Sequence, residues 1–286
     1  MLPPERAGYP ASHALLARRD SLVSAIKAGN YNTSVMPLES VVDRVRILRF
    51  TTRSAASPAK AVVVHFHGGA FRLGSAEMAG PFATALAARC DVEVICPDYR
   101  LAPEHPMPAA LHDGIKVINA LLNAGYTRLI LSGDSAGGGL AASITTLCVA
   151  AGAPLAALLL ISPWLDLTLK NESYRKNAAT DTLFSYLAAA EAAQLYLQGI
   201  PAEDPLASPL FANVLEFPPT LISVGTGEVL AGDAERFHAR LELAGVQCRL
   251  LMTAGMEHIA VVRGLDLPGA AETFDCLARF IDERLH

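Results

Sequence analysis

Hydrophobic positions along the chain follow two rhythms. Short runs of β-branched and aliphatic residues alternate with longer stretches in which apolar residues recur every three or four positions. The short runs Val41–Phe50, Ala61–Phe66, Val92–Cys96, Arg128–Leu131, Leu155–Ile161, Thr220–Val224 and Gln247–Met252 read as strands. Between them Pro81–Cys90, Leu111–Ala124, Ala136–Ala151, Ala231–Ala244 and Gly269–Leu285 read as helices. Strand–helix alternation of this kind predicts an α/β fold, a mostly parallel central sheet with helices on both faces.

Two segments stand outside the alternation. Residues 10–30 read as an amphipathic helix closed by Gly29, and residues 171–200 hold a second helical patch, Thr182–Leu197, ending at Gly199 and Pro201. Packed over the carboxyl ends of the strands, where open α/β sheets carry their sites, they form a lid or substrate wall. The alternative is that they shield a sheet edge. At 286 residues, without repeats or a linker, the chain suits one large domain.

Composition narrows the function. A net charge of −5 with no block of Lys or Arg argues against nucleic acid and anionic membranes as partners. Five cysteines, Cys90, Cys96, Cys148, Cys248 and Cys276, are odd in number and never spaced as Cys-x-x-Cys, which speaks against a disulfide framework and a zinc site. No charge falls between Asp134 and Asp166, a length that would cross a bilayer. Gly152 and Pro154 interrupt it, however, and a buried helix followed by a buried strand is expected instead of a membrane span. Residues 1–10 lack the apolar run of a signal peptide, so the cytoplasm is the expected compartment.

The chemistry gathers at the ends of strands. Gly133-Asp134-Ser135-Ala136-Gly137 fits Gly-x-Ser-x-Gly, weak by itself but placed after an aliphatic strand and before a small-residue helix, the setting of a nucleophile elbow. His67-Gly68-Gly69-Ala70-Phe71 follows Val62-Val63-Val64 and offers a glycine turn whose N–H groups can hold an oxyanion. The expected donors are Gly68, Gly69 and Ala136, with His67 bracing the loop. In such sites the base follows the serine in chain order, which leaves His238, His258 and His286. His238 sits in a helix pattern and His286 ends the chain, so His258, in a loop after a strand, is expected to be the base. Glu228, just past Leu221–Val224, is the favoured acid, with Asp233 its rival one turn farther on.

Four stretches together, His67–Phe71, Asp98-Tyr99-Arg100-Leu101-Ala102-Pro103-Glu104-His105-Pro106, Gly133–Gly138 and Ser162-Pro163-Trp164-Leu165-Asp166-Leu167-Thr168, resemble the hormone-sensitive-lipase-like carboxylesterases of the α/β-hydrolase superfamily, in their microbial branch. The resemblance spans about residues 60 to 260. It implies an α/β-hydrolase core, a small helical cap built from the N-terminus and an insertion after the Ser-Pro-Trp stretch, and hydrolysis of short to medium acyl esters without a cofactor. The expected division is a cap segment at 1–45 and a core at 46–286 with a cap insertion at about 170–205. Two positions depart from the family pattern: Ala70 replaces a third glycine, and Glu228 stands where aspartate is more frequent. Hydrolysis of amides, acylated amines or lactones by the same triad, and a non-catalytic receptor on the same fold, are the alternatives. Tyr9, Tyr31, Met36, Phe184, Tyr186 and Leu187 are candidates for the substrate pocket. The edge of the last strands is the expected surface for a homodimer.

Overall fold

The computed structural model describes residues 2–30, 35–52 and 61–285. Its strands are β1 (Leu38–Val42), β2 (Val45–Phe50), β3 (Ala61–Phe66), β4 (Glu93–Pro97), β5 (Arg128–Asp134), β6 (Leu155–Ile161), β7 (Thr220–Gly225) and β8 (Cys248–Thr253). The helices are α1 (His13–Ala25), α2 (Gly80–Cys90), α3 (Ala109–Asn123), α4 (Ala136–Ala150), α5 (Ser173–Lys176), α6 (Tyr186–Leu197), α7 (Ala231–Leu243), α8 (Ala260–Arg263) and α9 (Ala270–Leu285). One sheet forms among the described residues, in the order β1-β2-β4-β3-β5-β6-β7-β8. β1, β2 and β4 pair antiparallel, and every later pairing is parallel.

Burial on both faces explains why the central strands are apolar without alternation. Along β3, Val62, Val64 and Phe66 face the core formed with α3, α4 and α7, while Ala61 and Val63 face the one formed with α2 and α9. The first core holds Leu111 and Ile118 from α3, Leu140 and Ile144 from α4 and Phe237 from α7. The second holds Phe82 and Leu86 from α2 and Phe274, Leu277 and Ile281 from α9. The uncharged stretch after Asp134 is α4 followed by β6, and among the described residues no helix is long and apolar enough to cross a membrane. The five cysteines are free thiols.

Two expectations change. Val41–Phe50 is two strands, because Asp43 and Arg44 take φ of 44° and 68° and turn the chain back with Val42 opposite Val45. A two-residue hairpin needs positive φ at both central residues, and Asp-Arg lacks the Asn-Gly or Asp-Gly signature that announces it. The helix expected over residues 10–30 runs from His13 to Ala25 with Ser12 as its cap, but it has no buried apolar face: Leu15 is its buried residue, and Leu16 and Val23 are exposed. Polar bonds anchor it instead. Arg19 donates to the carbonyls of Arg72 and Ala102 at 2.9 and 2.8 Å and forks onto Glu104 at 2.6 and 3.0 Å.

Candidate active site

Strand β5 ends in a sharp elbow that delivers Ser135 to the mouth of α4. Ser135 holds φ 52° and ψ −120°, a conformation costly for a residue with a side chain and kept only where the surroundings fix it. They do so through the main chain: Ser135 N–H donates to the Ile161 carbonyl, and the Ser135 carbonyl accepts from Trp164 and Gly138. The flanking glycines are required sterically. A Cβ on Gly133 would lie 2.2 Å from the Gly137 carbonyl oxygen, and one on Gly137 would lie 2.0 Å from that of Phe66. Elbow helix and oxyanion strand therefore touch backbone to backbone.

Beside the elbow stand His258 and Glu228. His258 Nε2 lies 3.0 Å from Ser135 Oγ, and its Nδ1 lies 2.7 Å from Glu228 Oε2. The network is satisfied when Nδ1–H donates to the carboxylate and the serine hydroxyl donates to Nε2. Glu228 Oε1 accepts from the Ser162 hydroxyl at 2.8 Å and from the Gly225 N–H at 2.5 Å, while Ser162 Oγ in turn accepts the Ile259 N–H at 3.2 Å. Ser162 thus links Glu228 to the His258 loop, a role that sequence reading missed because its partners are distant in the chain. All three side chains are buried, and the Phe184 ring lies parallel to that of His258 at 5.8 Å.

Asp233, the rival acid, is elsewhere. Its Oδ2 accepts the N–H groups of Leu165 and Asp166, both at 3.0 Å, and its Oδ1 accepts from Asn171. It fastens the Ser-Pro-Trp stretch to α7, and burial pushes its pKa up to about 7. Burial likewise opposes charge on His258, but the hydrogen bond and charge of Glu228, aided by Asp181 and Asp134, outweigh it, and the imidazole pKa lies above its ordinary value. Of the other histidines, His238 sits beside Glu242 on α7, and His286 lies outside the described residues.

The glycine turn after β3 requires a correction. Gly68 N–H is not a free donor, since it gives its hydrogen to Asp134 Oδ1 at 3.0 Å. The same oxygen accepts from His65 Nε2 at 3.1 Å, and His65 Nδ1 meets the Ser132 hydroxyl at 2.9 Å. The N–H groups of Gly69, Ala70 and Ala136 have no acceptor among the described residues, so the free set moves one position along the turn. Gly69, Ala70 and Phe71 all take positive φ, of 115°, 54° and 60°, which turns the loop back on itself. His67 braces it from below: Nδ1 lies 2.7 Å from the Gly68 carbonyl, its ring stacks on Tyr99, and Tyr99 donates its hydroxyl to the His67 carbonyl.

A cavity of about 320 Å3 opens over Ser135, lined by Gly69, Ala70 and His258 together with Leu22 of α1 and Leu183, Phe184 and Ala188 from the stretch between β6 and β7. Of the expected pocket residues that are described, only Phe184 reaches it. Tyr9 and Met36, outside any helix, are exposed to solvent, as are Tyr186 and Leu187, because α6 turns other positions inward, and Tyr31 lies outside the described residues.

Comparison with known proteins agrees with this architecture. Residues 63–262 match the family model described as alpha/beta hydrolase fold. An esterase of Acinetobacter venetianus is 37% identical over 79% of this chain and 76% of its own length, and the esterase LipU of Mycobacterium tuberculosis is 34% identical over 80% of each. The crystal structure of an esterase from the bacterial hormone-sensitive lipase family superposes with a TM-score of 0.89 at 29% identity, covering 97% of this chain and 94% of that one. The chain belongs to the α/β-hydrolase fold family, among its hormone-sensitive-lipase-like carboxylesterases.

Proposed function

We propose that the protein hydrolyses short to medium acyl carboxylic esters through a Ser135–His258–Glu228 triad and an acyl-enzyme. The observation that carries this reading is the continuous hydrogen-bond chain from Ser135 Oγ through His258 to Glu228. His258 takes the Ser135 proton as Oγ attacks the ester carbonyl, Glu228 holds the imidazole in the tautomer that can accept it, and the N–H groups of Gly69, Ala70 and Ala136 receive the oxyanion. His258 then protonates the departing alcohol. Water, deprotonated by the same nitrogen, releases the acid. In this proposal α1 and the insertion at about 170–205 cap the site, and a second copy adds along β8 at the end of the sheet, an assembly that the mass in solution reads directly.

A cavity at the small end of the usual range for ligand sites, about 300–1,000 Å3, suits small esters. Across 4-nitrophenyl esters from acetate to palmitate, kcat/KM is expected to peak at short or medium chains and to fall steeply beyond; a peak at the longest chain contradicts the proposal. The imidazole must be neutral to work, and its pKa is raised. Activity is therefore lost as pH falls through a midpoint above the ordinary value of about 6.5. A kcat/KM profile flat from pH 5 to 8 is incompatible with His258 as the base.

A further inference from the structure

The charged residues around the cavity are mostly cationic, in a protein of net charge −5. Arg18, Arg72 and Arg263 line it together, against one carboxylate, Asp134, one oxygen of which already accepts from Gly68 and His65. Arg72 is the unusual member. Its side chain is 4% exposed, yet its one ion pair is with Glu191, which is 64% exposed. Its remaining side-chain bond, to the Ala188 carbonyl, is 3.5 Å long, and its Nε has no partner among the described residues. Arg18 has no partner among the described residues, and Arg263 is held by Glu257 at 2.7 Å. A buried guanidinium compensated only by a solvated carboxylate keeps an unmet demand for an anion. A planar carboxylate meets that demand with two parallel hydrogen bonds, and low-dielectric walls strengthen the attraction.

We infer that the cavity is built for esters that carry a carboxylate, with Arg72 as the anchoring cation and Arg18 at the mouth. This rests on the esterase reading and names its substrate class. Apolar lining from Leu22, Leu73, Leu183 and Val262 takes the aliphatic remainder of such a molecule. Cationic esters of the same size are disfavoured by the same three guanidinium groups.

Two matched pairs test it, with the charge on the acyl side (4-nitrophenyl glutarate against 4-nitrophenyl hexanoate) or on the alcohol side (4-acetoxybutanoate against pentyl acetate). The wild type is expected to favour the anionic member of one pair by tenfold or more in kcat/KM, mainly through KM. That preference drops by about tenfold in Arg72→Gln and by a smaller factor in Arg18→Gln, whose exposed position leaves folding unaffected. A preference at or below one in both pairs overturns the assignment, as does a preference that both variants retain. Calorimetry of glutarate with the Ser135→Ala protein reads the anion site without turnover. Binding that weakens when Arg18→Gln is added supports the assignment, and no binding counts against it. Neutral esters turned over equally by wild type and Ser135→Ala sink the esterase reading instead, so the two failures are distinct.

Discussion

Replacing Ser135 by alanine will lower kcat toward 4-nitrophenyl butyrate by about 10^6-fold while leaving the fold intact. The side-chain oxygen has one hydrogen-bond partner, His258, whereas the bonds that hold the elbow run through the Ser135 main chain. Alanine keeps those bonds and tolerates the same backbone as poorly as serine does, so the far-ultraviolet spectrum and melting temperature should move little. Removal of the nucleophile leaves only whatever the oxyanion donors contribute to attack by water. Turnover within tenfold of wild type in a preparation free of contaminating esterase would remove Ser135 from the mechanism.

The acid is decided by a second pair of variants. In Glu228→Ala the imidazole loses the partner that fixes its tautomer, and kcat should fall by about 10^4-fold. Asp233→Ala should instead act on stability. It strips acceptors from the buried N–H groups of Leu165 and Asp166 and from Asn171, each worth about 1–3 kcal/mol when left unsatisfied. Denaturant midpoints and steady-state rates measured on both variants separate the roles. Unchanged turnover in Glu228→Ala, with the large loss in Asp233→Ala, would exchange them.

The core strands were legible because burial on both faces writes an uninterrupted apolar run, and the five strands β3 to β7 in the middle of the order each fall on such a run. The meeting of Ser135, Glu228 and His258 was legible for a different reason. Each lies directly after a strand, so strand ends located from periodicity place all three at one edge of the sheet. The hairpin at Asp43 and Arg44 escaped because it uses two residues without the usual turn signature. The free N–H set shifted by one residue because the partner of Gly68 is Asp134, at the end of β5, and a contact 66 positions away leaves no periodic trace. The same holds for Ser162 and for the placing of Arg72 in the cavity. The mistaken amphipathy of α1 has a simpler cause: its apolar residues gather on no single stripe, and arginine bonds fix the helix in place of a buried face.

The contact between Gly137 and the Phe66 carbonyl oxygen has a consequence for how this site can diversify. Ser135 and the glycine turn after β3 are registered by two main chains in direct contact, with no long side chain between them to relax or repack. Their spacing is inherited from the sheet rather than from the side chains that face the cavity. Changes at Leu22, Arg72 or Leu183 can redraw which ester enters, while the reacting atoms keep their places.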